Sequence, residues 1–154
     1  MALLIAALVV AIAAAATSII LMITAGPPFA ASRGFSSVGE QFYVTGTDPD
    51  GAVSFARGPP WFQMHDGGCV VCHGSDGKGG RVSMMGTFTV PDIRYKTLTK
   101  PHEDMPAFTE ETIKRAIMQG KDSDGSELSA NMPRWRMSNE DLDSVIDFLK
   151  RLSQ

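Results

Sequence analysis

The sequence predicts a small all-α domain that follows a single transmembrane helix and an irregular connector. Residues 2–25 contain no Asp, Glu, Lys, Arg or His, and residues 26–56 are interrupted every few positions by Gly or Pro. Within residues 57–154, two segments show the apolar period of amphipathic helices. We therefore divide the chain into a transmembrane helix (1–25), a connector or docking segment (26–56) and a helical domain (57–154).

The composition excludes several classes of protein. The chain has 154 residues, of which 44% are apolar and 20% charged, and its formal net charge is −3. It is therefore too apolar for a disordered chain and too acidic for a typical nucleic-acid-binding protein. Its length also excludes a large multidomain enzyme, a repeat array and a polytopic transporter.

The segment Ala2–Ala25 has the length and composition of a membrane anchor. As a helix it would extend for roughly 36 Å, which exceeds the hydrocarbon thickness of about 30 Å. The Gly26-Pro27-Pro28 sequence would end it, because proline lacks the amide donor. The alternative is a cleaved signal peptide, but the segment lacks a basic start and is long for such a peptide. We therefore expect a retained anchor in the lipid bilayer.

Three helices and one strand are predicted after the anchor. In the connector, Gln41–Val44 is suited to a short strand, and Thr47–Gly51 has the composition of a turn. A first helix would run from Pro59 toward Cys69. A second would be capped by Thr109 and end at Gly120, and the last would begin after Ser138. The last helix has the most regular apolar face, formed by Leu142, Val145, Ile146, Leu149 and Leu152.

The two cysteines of the chain lie in the sequence Cys69-Val70-Val71-Cys72-His73. This C-x-x-C-H pattern predicts one covalently attached haem c, with two thioether bonds to the vinyl groups and His73 as an iron ligand. A thioredoxin-like redox pair is less consistent with His73 and with the absence of a βαβ pattern. A zinc site would need further Cys or His ligands at suitable spacing.

The second axial ligand of the iron is predicted to be Met132. It precedes Pro133 in a loop shortly before the last helix, so the chain can bring its sulfur to the opposite haem face. A thioether ligand favours ferrous iron and raises the reduction potential. Met105, which also precedes a proline, is the main rival. Further candidates are Met64, Met84, Met85 and His102.

These motifs, in this order, resemble a class I cytochrome c over roughly residues 57–154. The resemblance rests on Cys69–His73, Gly74–Gly79, Phe108–Ile113, Asp124–Leu128, Met132–Trp135 and the helix Asp141–Leu152. It implies an all-α fold around a single six-coordinate haem, with the first and last helices crossing. It also implies that the Pro91 carbonyl supports His73 and that Arg134 and Trp135 meet a haem propionate. The chain departs from the pattern at His65, where the family has an aromatic residue, which affects the expected helix contact with Phe148.

The predicted function is single-electron transfer by a membrane-anchored cytochrome that has no substrate site of its own. Since haem c is attached outside the cytoplasm in this family, the domain would face the periplasm and the N-terminus the cytoplasm. The partners would be redox donor and acceptor proteins and other subunits of a quinol-oxidising, oxidase or photosynthetic complex, such as alternative complex III. Two alternatives stay open: a free-standing anchored shuttle, and a five-coordinate haem protein that senses gases or reacts with peroxide.

Overall fold

A computed structural model of the chain describes residues 34–64, 67–83, 86–101 and 104–154. The predicted transmembrane helix Ala2–Ala25 lies outside these residues, as do His65, Met84, Met85 and His102. Within the described ranges, no helix is both long enough and apolar enough to cross a membrane.

Helices form most of the core. In the described ranges the α-helices are α1 (Val38–Thr45), α2 (Val70–His73), α3 (Tyr95–Leu98), α4 (Glu110–Gln119) and α5 (Asn139–Arg151), with a 3₁₀ helix at Pro60–Met64. The fully buried large side chains are Phe42, Tyr43, Leu142, Val145 and Ile146. All five belong to α1 or α5, so these two helices form the centre of the core.

The prediction of a purely α-helical domain is incomplete. In the part of the chain that the structure describes, six short strands form three antiparallel pairs. The strands are β1 (Thr47–Asp48), β2 (Gly51–Ala52), β3 (Phe55–Arg57), β4 (Gly80–Ser83), β5 (Thr87–Val90) and β6 (Arg134–Trp135). β1 pairs with β2, β3 with β6, and β4 with β5. Such pairs provide partners for the polar backbone groups of long inter-helix segments.

The strand predicted at Gln41–Val44 is wrong, because these residues belong to helix α1. Ser37 caps this helix by accepting a hydrogen bond from the Glu40 amide. Phe42 and Tyr43 are both buried, and their burial against α5 overrides the local preference of aromatic residues for strands. The compact unit thus begins at Gly34 and includes much of the segment assigned to the connector.

Helices α1 and α5 cross at a glycine. The backbone of Gly39 lies directly against the backbone carbonyl of Ser144, with no space for a Cβ atom. The Gly39 amide donates a 2.8 Å hydrogen bond to Ser144 Oγ. One turn further along, the rings of Tyr43 and Phe148 pack with their centroids 5.0 Å apart. The contact expected between the first predicted helix and the last helix is therefore made instead by α1, and Tyr43 provides its aromatic residue.

The helix predicted from Pro59 toward Cys69 is also wrong. Among the described residues of this segment, which exclude 65 and 66, a 3₁₀ helix forms at Pro60–Met64, and Gly67 and Gly68 lead into α2 without helical structure. The Gly68 amide instead donates to the carbonyl of Val44 at 3.3 Å. Two adjacent glycines have high conformational entropy in the unfolded chain. Because this entropy is lost when they become helical, they disfavour continuation of a helix.

The two C-terminal helices are confirmed with their predicted caps. Thr109 and Thr112 form a capping box at the start of α4, and Gly120 ends the helix in the left-handed conformation. Ser138 Oγ accepts a hydrogen bond from the Asp141 amide at the start of α5. The turn predicted at Thr47–Gly51 is also confirmed, because Asp48 Oδ1 accepts hydrogen bonds from the amides of Asp50 and Gly51.

Candidate functional site

Cys69, Cys72 and His73 are brought together by the single turn of helix α2. Cys69 occupies the N-cap position, and its carbonyl accepts a 2.9 Å hydrogen bond from the His73 amide. The two thiols are not joined by a disulfide. Burial raises the pKa of the Cys69 thiol to about 12 and also raises the pKa of Cys72. Before haem is attached, burial therefore favours the protonated form of both thiols.

His73 is buried and has a fixed orientation. Its Nδ1 atom lies 3.0 Å from the Pro91 carbonyl oxygen. Since a carbonyl only accepts hydrogen bonds, Nδ1 carries the proton, which leaves the lone pair of Nε2 for a metal ion. Burial lowers the pKa of His73 and outweighs the opposing effects of the Pro91 hydrogen bond and of Asp92. The side chain is thus a neutral imidazole in the tautomer that binds a metal through Nε2.

The position of Pro91 is fixed by two neighbouring contacts. The Ile93 amide donates to the carbonyl of Gly77 at 2.8 Å. The Gly79 amide donates to the carbonyl of His73 at 2.9 Å. The first hydrogen bond connects the segment after α2 with the segment around Pro91, and the second holds the segment after α2 against His73. The contact between His73 and Pro91 therefore belongs to a connected backbone structure.

A cavity of about 280 Å³ opens beside α2. Its walls include Cys69, Cys72 and His73 from α2 and Met132 from the C-terminal loop. Most of the remaining wall is apolar, and its contributors include Phe62, Phe88, Ile93, Phe108, Ile117 and Leu149. Two thiols, an imidazole, a thioether and an apolar surface are the groups that a covalently attached haem requires, so these residues fit that cofactor.

The structure distinguishes Met132 from its main rival. Met132 lines the cavity, and of the methionines whose side chains the structure describes, it alone does so. Met105 lies in the chain segment before α4 and does not contribute to this wall. Among the methionines with described side chains, Met132 is therefore the one that lines the same cavity as His73.

Arg134 makes three backbone contacts that the sequence analysis did not predict. Its side chain is buried and donates to the backbone carbonyls of Leu128 (2.9 Å), Ser129 (3.2 Å) and Met132. These three hydrogen bonds occupy both hydrogens of Nη1 and one of Nη2. The structure thus shows Arg134 bonded to the loop that carries Met132. The contact with a propionate stays a prediction.

Trp135 is buried at the edge of the cavity. Its ring makes edge-to-face contacts with Phe42, Phe55 and Phe62, with centroid distances of 4.8, 5.4 and 5.9 Å. The sequence analysis missed this aromatic cluster, although the spacing of aromatic residues through residues 35–62 provides a signal for it. The contact of Trp135 with a propionate also stays a prediction.

A second feature missed by the sequence analysis is the hairpin of β4 and β5, which contributes Phe88, Thr89 and Val90 to the cavity wall. Its strands pair in regular register from Gly80 with Val90 to Ser83 with Thr87. The alternation of Thr and apolar residues over Thr87–Val90 is a strand signal that was available in the sequence.

Comparison with known proteins agrees with this geometry. The cytochrome c family matches residues 55–153, which include α2, the cavity-lining hairpin, the Met132 loop and α5. No curated protein and no solved structure matches the chain. The chain belongs to the cytochrome c family, carries covalently attached haem c and is a haem-based electron-transfer protein.

Proposed function

We propose that this protein is a mono-haem electron carrier whose iron is held by His73 and Met132. The observation that carries the proposal is the presence of both side chains on the walls of one apolar cavity that also contains Cys69 and Cys72. When bound, the haem supplies one-electron redox chemistry at its iron. A site with two protein ligands leaves no position for a substrate.

The residues around the cavity support this role. The hydrogen bond from His73 to the Pro91 carbonyl holds the imidazole in one orientation, with Nε2 available for the iron. The apolar wall excludes water and, together with a thioether ligand, favours the reduced state.

The near-infrared absorption band that arises from charge transfer between a thioether sulfur and ferric iron tests the ligand assignment. We expect the wild-type protein to show this band, the variant Met132→Leu to lose it, and the matched control Met105→Leu to retain it. Absence of the band in the wild-type protein, together with rapid carbon monoxide binding to the ferrous form, would instead support the five-coordinate alternative.

We further propose that the chain is anchored by residues 2–25, with its haem domain on the periplasmic side and its N-terminus in the cytoplasm. The support is the uncharged stretch of 24 residues and the attachment of haem c outside the cytoplasm. The test is extraction of membranes with alkaline carbonate. An anchored protein stays in the pellet, and protease added to spheroplasts digests its haem domain.

We favour a fixed subunit of a quinol-oxidising, oxidase or photosynthetic complex over a free shuttle. The compact unit begins at Gly34, so only residues 26–33 separate it from the predicted anchor. Even fully extended, this link would reach only about 28 Å. A short link suits delivery to a neighbouring subunit better than movement between separate complexes.

A haem-stained native gel of membranes solubilised in mild detergent distinguishes these two arrangements. If the haem band of this chain migrates with a large complex, the chain is a fixed subunit. If the band migrates alone as a small species, the chain is an anchored shuttle and the proposal of complex membership is wrong.

A further inference from the structure

Arg134 is a buried cation, and neither haem attachment nor iron ligation accounts for its contacts. Its side chain is 5% exposed, and it makes no ion pair with a described residue. Its partners are instead backbone carbonyls, those of Leu128, Ser129 and Met132. Burial of an unpaired guanidinium is costly unless its donors are satisfied, so these contacts define where the side chain can lie.

The three carbonyls belong to one loop that closes around the guanidinium. Leu128 and Ser129 lie before Met132, and the Met132 amide itself donates to the Ser129 carbonyl at 3.1 Å. The side chain of Arg134 therefore bonds to both ends of the turn that presents Met132. A planar fork of donors is suited to hold several carbonyls in a fixed arrangement.

The backbone of Arg134 is itself fixed by the pairing of β3 with β6. Arg57 is the register partner of Arg134, and Phe55 is the partner of Trp135. The Arg136 amide extends the contact by donating to the Ser54 carbonyl at 2.9 Å. The backbone that carries the Arg134 side chain is thus bonded to a segment that precedes the haem-binding cysteines.

Gly120 provides the space that the guanidinium occupies. A Cβ atom at this position would overlap Nε and Cζ of Arg134. The Gly120 carbonyl also accepts a 2.8 Å hydrogen bond from the Leu128 amide. The residue that ends α4 therefore contacts both the guanidinium and the loop that it holds.

We propose that Arg134 is the positioning residue for the axial methionine, because its guanidinium holds the carbonyls of residues 128, 129 and 132 and thereby keeps the Met132 sulfur at the iron. The inference rests on the proposed function, since it requires Met132 to be the axial ligand. Arg134 acts through the loop backbone and does not itself touch the iron.

The test is the rate at which imidazole replaces the methionine in the ferric holoprotein, since this replacement requires the sulfur to leave the iron. We expect Arg134→Met to accelerate replacement by roughly tenfold or more, because a hydrogen bond from a charged donor contributes at least about that factor to an equilibrium. The matched control is Arg136→Met, which removes an exposed arginine two positions along the chain. We expect this control to retain the wild-type rate.

Two further variants keep the proposal testable if Arg134→Met does not fold. Arg134→Lys retains the positive charge but lacks the two Nη donors that hold the loop carbonyls. We therefore expect faster imidazole binding although the local charge is unchanged. Gly120→Ala retains Arg134 but displaces its guanidinium, so we expect the same acceleration. Wild-type rates in both variants would overturn the proposal.

The outcomes also separate this proposal from the assignment of Met132. If Met132→Leu retains the near-infrared band, the ligand assignment itself is wrong. If that variant loses the band but Arg134→Met binds imidazole at the wild-type rate, only the role of Arg134 is wrong. A shifted reduction potential with an unchanged imidazole rate would favour a propionate contact and would also overturn the positioning role.

Discussion

At the scale of single residues, the carboxylate of Asp92 stabilises the segment that orients His73. It follows directly after Pro91 and accepts hydrogen bonds from the backbone amide and side chain of Arg94 and from Thr97 Oγ1. These hydrogen bonds, above all those from the Arg94 guanidinium, hold the pKa of Asp92 below its ordinary value of 3.8. A lowered pKa means that the folded state favours the ionised carboxylate.

We therefore predict that Asp92 contributes stability above about pH 4 and that this contribution is lost as the pH falls through its lowered pKa. Asp92→Asn should lower the free energy of unfolding at pH 7 by about 1–3 kcal/mol, since it weakens hydrogen bonds to a charged group. Urea unfolding of the holoprotein at several pH values provides the measurement. The exposed Asp50→Asn is the control. An equal loss at pH 7 and pH 2 would contradict this prediction.

The two cysteines differ from other residues of the site in that each forms its own covalent bond to the cofactor. We predict that Cys69→Ala or Cys72→Ala leaves some haem bound through the remaining thioether, whereas the double variant retains none after denaturation. The chain contains no other cysteine, so no substitute thiol exists. Haem staining of a denaturing gel provides the measurement. Stained protein from the double variant would show that haem is retained by another bond.

At the scale of elements, local signals predicted some parts of the fold and could not predict others. Helices α4 and α5 carry their own caps, Thr109 and Ser138, and their apolar faces are regular. Helix α1 is only eight residues long and is stabilised by burial of Phe42 and Tyr43 against α5, a partner about 100 residues away. Ser37 and Gly46 cap this helix locally, but a helix of this length depends mainly on that tertiary contact for its stability.

The distinction between local and long-range contacts also explains which parts of the candidate site could be predicted from the sequence. Cys69, Cys72 and His73 form a contiguous motif, and Met132 was identified from its neighbour Pro133 and its position before the last helix. The bonds of Arg134 to Leu128 and Ser129 depend on the path of a loop. That path is fixed by the pairing of β3 with β6, which the sequence alone did not reveal.

The crossing of α1 and α5 gives a prediction at this scale. Gly39→Ala would place a methyl group against the Ser144 carbonyl and the Val145 amide, so the helices would have to separate. We expect the free energy of unfolding to fall by about 1–3 kcal/mol, the typical cost of overpacking. Denaturant unfolding of the holoprotein measures this change, with Val44→Ala on the exposed side of the same helix as the control. Unchanged stability of Gly39→Ala would contradict the close approach.

At the scale of the whole molecule, the proposed anchor would decide over what distance the haem domain can deliver electrons. The compact unit begins at Gly34 and is held from its first helix onward by contacts with α5, including the 2.6 Å hydrogen bond between Arg151 and Ser37. If residues 2–25 form the proposed anchor, only residues 26–33 separate it from this unit. A short link increases the effective concentration of a domain near a neighbouring subunit.

We predict that doubling the link of residues 26–33, by inserting a flexible eight-residue Gly/Ser segment between residues 33 and 34, will lower the rate of haem reduction in native membranes. If the domain docks on a neighbouring subunit, its effective concentration should fall roughly threefold, because this quantity decreases as about the −3/2 power of linker length. The absorption spectrum and thermal stability should not change, because the insertion lies outside the compact unit. An insertion of the same size after Gln154 provides the control. A faster reduction rate with the longer link would instead show that reach limits the wild-type protein, as expected for an anchored shuttle.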